Sequence, residues 1–163
     1  MNRLDNWQES LSNVIRARRE VPFAWGTADC TQFAFDAVKA VIGDDLGKPY
    51  RGKYTTAAGA LKILQKVGGV KRPADLFAVR FGKRKAIAFA RKGDVVTCTP
   101  RQIGLSAQQG AGAFGPVIGV CYGHLSYFVA EQGLIEIETL NCSGCFHVLK
   151  LPPTPKAEPG RKK

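Results

Sequence analysis

Residues 23–30 read Phe23-Ala24-Trp25-Gly26-Thr27-Ala28-Asp29-Cys30. This stretch is the most informative for the fold, because an aromatic, Gly-containing turn places a cysteine in the first turn of a predicted helix. Apolar residues at helical spacing run from Phe33 to Val41, and Gly43 ends the predicted helix. The free N–H groups and the positive dipole end of a helix start favour a thiolate. Cys30 is therefore either an activated nucleophile or a small buried apolar residue, as most free cysteines are.

Three further helices are predicted on either side of this stretch by the spacing of apolar residues. The first runs from Asp5 to Arg18. Another begins after a cap at Thr55 or Thr56 and closes at Gly68-Gly69. A short helix from Pro73 to Val79 has proline at its first position, where the missing N–H costs nothing.

From residue 87 onward the pattern changes to short apolar runs separated by turns. These runs predict six strands, at Ile87–Phe89, Asp94–Thr99, Val117–Tyr122, Ser126–Ala130, Leu134–Glu138 and Cys145–Leu149. Helices followed by strands indicate an α+β fold in which N-terminal helices pack on an antiparallel sheet. We assign residues 1–151 to one such domain. Residues 107–115 are predicted to form a flexible Gly/Ala-rich loop, and residues 152–163 a flexible, Pro-rich basic tail.

The composition suits a folded domain with an anionic neighbour. Of the 163 residues, 45% are hydrophobic, which is enough for a core, and the net charge is +11. The internal basic residues cluster at Arg80, Lys83, Arg84, Lys85, Arg91 and Lys92. Such a cluster is either a solvated face or a docking surface for an acidic partner. Specific nucleic-acid binding is not predicted, because no aromatic platform or helix-turn-helix pattern accompanies the charge.

The first residues of the chain carry no apolar stretch of the kind found in signal peptides. No apolar run approaches the roughly 20 residues of a transmembrane helix. These observations predict a protein made in the cytoplasm, with no transmembrane segment.

Five cysteines, an odd number without a signal peptide, predict reduced thiols rather than a disulfide framework. Four of them lie late in the chain, at Cys98, Cys121, Cys142 and Cys145. Four thiols are the number that a tetrahedral zinc or iron–sulfur site needs, but only one Cys-x-x-Cys pair is present. The alternatives are a metal site and buried strand cysteines that hold no cofactor.

Several motifs resemble those of the NlpC-type cell-wall cysteine peptidases, papain-like enzymes that cut peptide bonds in peptidoglycan. Residues 22–26 with Asp29-Cys30 look like the family's opening motif. Gly93-Asp94-Val95-Val96, residues 117–123 and residues 126–130 resemble its next strands in order. The resemblance covers residues 7–149 and is closest to a divergent branch common in prophage and phage-tail gene neighbourhoods. It implies a papain-like fold with Cys30 at the nucleophile position.

The chain differs from that family at the positions of the catalytic residues. The catalytic histidine would stand at Val117, and the third, orienting polar residue at or near Val129. His124, seven residues beyond Val117, should lie on the order of 20 Å away along the strand, so it is a poor substitute base. His147 is predicted to lie on the last strand, facing either solvent or core. A lone cysteine without an imidazole loses most of the effect of such a catalytic unit.

Three hypotheses follow. The first is a structural or assembly protein of a phage tail or prophage particle, with Cys30 vestigial and neighbouring tail or baseplate proteins as partners. The second is an active peptidoglycan hydrolase that uses Cys30 with His124 or a base from another chain. The third is a metal-binding tail module built on the late cysteines. The resemblance alone implies the virion as the location.

Overall fold

The computed structural model describes residues 3–103 and 115–150 and has an α+β architecture. Its helices are α1 (Trp7–Arg18), α2 (Cys30–Ile42), α3 (Ala57–Gly68) and α4 (Pro73–Phe81). The predicted loop at 107–115 lies almost entirely outside the described residues, and the predicted tail at 152–163 does so completely. None of the described helices has both the length and the apolar character that a membrane crossing needs.

The five strands are β1 (Val95–Cys98), β2 (Val117–Cys121), β3 (Leu125–Ala130), β4 (Gly133–Glu138) and β5 (Gly144–Phe146). They form one antiparallel sheet in the order β4-β3-β2-β1-β5. The central pair β1–β2 aligns Val95 with Val120 and Cys98 with Val117. The predicted antiparallel sheet with N-terminal helices is confirmed.

Successive side chains of a strand point to opposite faces, and the sheet accordingly has a core on each side. On one face Ile118 and Val120 join a cluster with side chains of α1 and α2. On the other face Val117 and Phe128 join a smaller cluster that includes all five cysteines. Among the described residues, a 3₁₀ turn at Ile87–Phe89 packs against this second face through Ile87.

Two of the sequence predictions need correction. Residues 87–89 form that 3₁₀ turn and not a strand, because Phe89 and Ala90 donate their N–H groups to carbonyls only three residues back. The last strand is Gly144–Phe146 and not Cys145–Leu149, because the N–H of Val148 donates to the Asp94 carboxylate instead of to a strand. The predicted exposure of alternate β4 residues is confirmed, with Glu136 and Glu138 exposed.

Candidate functional site

The turn before α2 is organised by the buried carboxylate of Asp29. Its Oδ1 accepts the N–H of Gln32 at 2.9 Å, which caps the helix. Its Oδ2 accepts the N–H of Gly26 at 2.8 Å and the hydroxyl of Tyr54 at 2.6 Å. Gly26 is required there, since its φ is 84° and a Cβ would lie 2.1 Å from the Tyr54 carbonyl oxygen. Asp29 therefore ties the turn, the helix start and the following loop together.

Cys30 is the first residue of α2, as the sequence predicts, but its side chain is buried. The residue is 6% exposed, and its thiol lies 3.9 Å from the Thr31 hydroxyl and has a backbone hydrogen bond with Ile118 of β2. Burial, followed by the negative charge of Asp29, raises the pKa of Cys30 to about 12. The thiol therefore keeps its proton, whereas a cysteine nucleophile needs a lowered pKa and access to substrate.

Neither histidine of the described residues contacts the Cys30 thiol. His124 is exposed in the turn between β2 and β3, at the opposite end of β2 from the Cys30 contact. His147 follows β5, and its Nε2 lies 3.0 Å from the carbonyl oxygen of Phe89. Because β5 is two strands from β2, His147 is separated from the thiol by roughly 10 Å or more. The structure thus brings no imidazole within hydrogen-bond reach of the cysteine.

The positions where the family resemblance expects catalytic side chains are apolar and closed to solvent. Val117 is 0% exposed and lies in the same core cluster as Cys30, beside the strand residue that bonds the thiol. Val129 is 4% exposed and belongs to the core on the helix side. These valines offer no proton acceptor, so neither position supplies a base or an orienting group for the Cys30 thiol.

The four late cysteines are buried but do not meet at one point. Cys98 and Cys142 are neighbours, and the hydrogen bond between their thiols is the main cause that raises the pKa of Cys98. The thiol of Cys121 donates to the Gly123 carbonyl at 3.4 Å. The thiol of Cys145 donates to the carbonyl of Ala86 at 3.6 Å. No group of three of these sulfurs lies within 4.8 Å of one another in the described part of the chain.

Cys145 lies instead beside Asp94 and His147, and the potential ligand atoms of these three residues are within 4.8 Å of one another. The Asp94 carboxylate is already engaged, since it accepts from Arg3 Nη2 at 3.0 Å and from the Arg91 N–H at 2.9 Å. The guanidinium Nε of Arg91 also lies 3.5 Å from Asp94 Oδ2, so a metal ion there would lie beside the guanidinium groups of both arginines. Burial, then the charge of Asp94, raises the pKa of Cys145 to about 11. The two guanidinium charges beside Asp94 oppose a cation at this cluster.

The family model described as Domain of unknown function (DUF6950) matches residues 2–148. The chain belongs to this family. No curated protein matches the chain, and no solved structure does. The DUF6950 match spans the four α-helices and the five-stranded sheet.

Two features of this DUF6950 domain were missed by the sequence analysis. Tyr54 lies in a loop 24 residues after Cys30, and no local motif links its hydroxyl to Asp29. Arg3 inserts a guanidinium with 6% exposure against Asp94, 91 residues later. The one local signal was an unusually placed acid, Asp94, at the start of a buried strand, where a charge needs a partner.

Proposed function

We propose that this DUF6950 domain is a non-catalytic relative of the NlpC-type peptidases that acts as a structural or assembly protein of a phage tail or prophage particle. Its partners are neighbouring tail or baseplate subunits, its location is the virion, and the role needs no cofactor. The viral setting rests on the resemblance of residues 7–149 to the prophage-associated branch of that superfamily.

The papain-like part of this proposal is supported by the arrangement around α2. A cysteine begins a helix, and its thiol contacts the start of the central strand β2 through Ile118. That strand is part of an antiparallel sheet, and Val117, where the family's histidine would stand, is the neighbouring residue. An imidazole at position 117 would therefore lie on the same strand that the Cys30 thiol contacts.

The observation that carries the non-catalytic part is the state of the Cys30 thiol. It is buried, its pKa is raised to about 12, and its bonding partners among the described residues are Thr31 and the Ile118 backbone. Acyl transfer by cysteine requires a thiolate with an adjacent base. A protonated thiol packed among apolar side chains supplies neither, so Cys30 serves to pack the helix against the sheet.

The test is particle assembly combined with a cleavage assay. In the virus or prophage that encodes the chain, we expect it to co-sediment with intact particles through a density gradient, at a fixed ratio to the other tail proteins. Cys30→Ala should leave particle yield and infectivity unchanged, because the residue only fills space. The purified wild-type protein should release no peptide from peptidoglycan.

The hydrolase hypothesis makes the opposite predictions. Peptide release by the wild-type protein that is lost in both Cys30→Ala and His124→Ala would replace the assembly role with hydrolysis. Absence of the chain from purified particles would remove the tail role even if no cleavage were seen. A matched control is Cys121→Ala, which also removes a buried thiol but lies at the other end of β2.

A further inference from the structure

Within residues 3–103 and 115–150, two short turns pack on the face of the sheet opposite α2, and each presents a large apolar side chain to solvent. The 3₁₀ turn Ile87–Phe89 packs Ile87 against the cysteine-containing core but leaves Phe89 64% exposed. A second 3₁₀ turn, Thr139–Asn141, buries Thr139 and leaves Leu140 74% exposed. The two turns lie against each other. Exposed apolar side chains grouped in this way mark interaction surfaces.

The chain around the first turn is strongly positive. From residue 82 to residue 103 there are six cations, namely Lys83, Arg84, Lys85, Arg91, Lys92 and Arg101. The one carboxylate in this span is Asp94, which is fully buried and engaged with Arg3 and Arg91. Nothing acidic in this span therefore neutralises the charge at the surface.

One open pocket is lined by both basic and apolar side chains. It is lined by Lys85, Ala86, Phe89 and His147. Lys85 is exposed, and its backbone is fixed because its N–H and carbonyl pair with Cys145 of β5 at 2.8 and 3.0 Å. The Lys85 side chain thus extends from a fixed backbone position into a pocket that Phe89 also lines, which favours binding of a carboxylate next to an apolar group.

We propose that this surface, formed by Lys85, Phe89, Leu140 and His147, is the docking site for an acidic segment of a partner protein. A carboxylate of that segment enters the pocket beside Lys85, and an apolar side chain next to it packs on Phe89 and Leu140. The inference rests on the assembly role proposed above and names the chemistry of the subunit contact.

The charges of the chain's own remaining segments indicate that the docking site is occupied by a separate protein. Residues 104–114 of the chain contain no charged residue, so they offer no carboxylate to the pocket. Residues 152–163 carry four cations and one carboxylate, and the positive surface repels them. A nucleic acid would satisfy the cations but would leave Leu140 and the apolar part of the site without a matching group. An acidic and apolar protein segment complements both parts.

The experiment uses the full chain and a fluorescein-labelled peptide in which Asp and Glu alternate with Leu and Phe. Fluorescence anisotropy should rise on binding, and two matched peptides should fail: one with Asn and Gln in place of the acids, one with Ser in place of the apolar residues. Zero-length carbodiimide cross-linking should join a peptide carboxylate to Lys85, as located by mass spectrometry.

Variants separate this site from general attraction to a basic protein. Lys85→Glu and the pair Phe89→Ser with Leu140→Ser should each raise the Kd by about tenfold or more, as expected for central interface residues. Lys66→Glu on α3 changes the net charge equally, and Val79→Ser on α4 removes an equally exposed apolar side chain. Both controls should bind as the wild type does.

Three outcomes would overturn the inference. They are no binding of the acidic apolar peptide, equal weakening by Lys66→Glu and Lys85→Glu, and displacement of the peptide by a single-stranded oligonucleotide that binds the same residues more tightly. Peptide binding requires no particle and no cleavage, so failure here leaves the assembly role standing. Conversely, peptidoglycan hydrolysis would remove that role without altering the binding result.

Discussion

Cys30 lies where a helix dipole favours a thiolate, yet its surroundings favour the neutral thiol. The dipole contributes about 1 kcal/mol at an exposed helix end, whereas removing a thiolate from water costs several. Desolvation is the larger effect here, and the nearby Asp29 charge acts in the same direction. If the same thiol lay in an open groove at a helix start, its pKa would instead fall below the ordinary value.

This balance gives a pH prediction for the free energy of unfolding. The pKa of Cys30 is about 12 in the folded chain against 9.0 ordinarily, so the unfolded chain releases the proton first as pH rises. The contribution of the protonated Cys30 thiol to the free energy of unfolding is therefore fully present below pH 9.0 and is lost between pH 9.0 and about 12. We expect a loss of up to about 1.4 kcal/mol per pH unit in that window. Urea unfolding at several pH values measures it.

The control for this prediction is Cys30→Ala, in which the other cysteines and the tyrosines still titrate. The difference in slope between wild type and variant above pH 9.0 then reports Cys30 alone. Identical slopes would mean that the thiol is hydrated in the folded protein, which would reopen the nucleophile hypothesis.

At the scale of elements, α2 depends on a cap that also connects the turn and the loop. Asp29 makes the capping bond to Gln32 but also accepts from Gly26 and Tyr54, all in a buried setting. The cap of α3 is simpler, since Thr56 makes one exposed bond to Gly59. The two helices therefore provide a comparison between a multiple, buried cap and a single, exposed one.

We expect Asp29→Ala to lower the free energy of unfolding by about 2 kcal/mol or more, because the cap is lost and the Tyr54 hydroxyl is left without its acceptor. Thr56→Ala should cost about 1 kcal/mol, the usual value for an exposed cap. Chemical denaturation of both variants and the wild type tests this. Equal losses would show that the buried bonds of Asp29 add nothing beyond capping.

At the scale of the whole molecule, the excess of 24 basic over 13 acidic residues makes the folded state repel itself. We expect Tm to rise by a few degrees as ionic strength increases from about 0.01 M to about 0.15 M, because the screening length falls from about 30 Å to about 8 Å. Differential scanning calorimetry provides the measurement.

The matched variant for the salt prediction reverses two charges, Lys83→Glu with Arg84→Glu, both of which are exposed. Its Tm should rise less with salt than that of the wild type. A Tm that falls with salt in the wild type would mean that surface ion pairs such as Arg51–Asp45 outweigh the net repulsion.

The sequence was sufficient for features that depend on neighbours along the chain. Helical spacing located α2 and its end at Gly43, and alternation located β4 with its exposed glutamates. It was misleading at residues 87–89, because so short an apolar run fits a strand and a 3₁₀ turn equally well, and the structure closes it with hydrogen bonds three residues apart.

The sequence by itself thus determined the α+β order of elements, the cysteine at the start of α2 and the excess of positive charge. Only the tertiary structure decided that Cys30 is buried against β2, that Asp94 is neutralised by Arg3, and that the turns bearing Phe89 and Leu140 lie against each other. The physical reason is the separation along the chain of the residues that cause each feature. Helix caps and strand alternation are set by residues a few positions apart, whereas desolvation and charge pairing depend on groups brought together from distant parts of the chain.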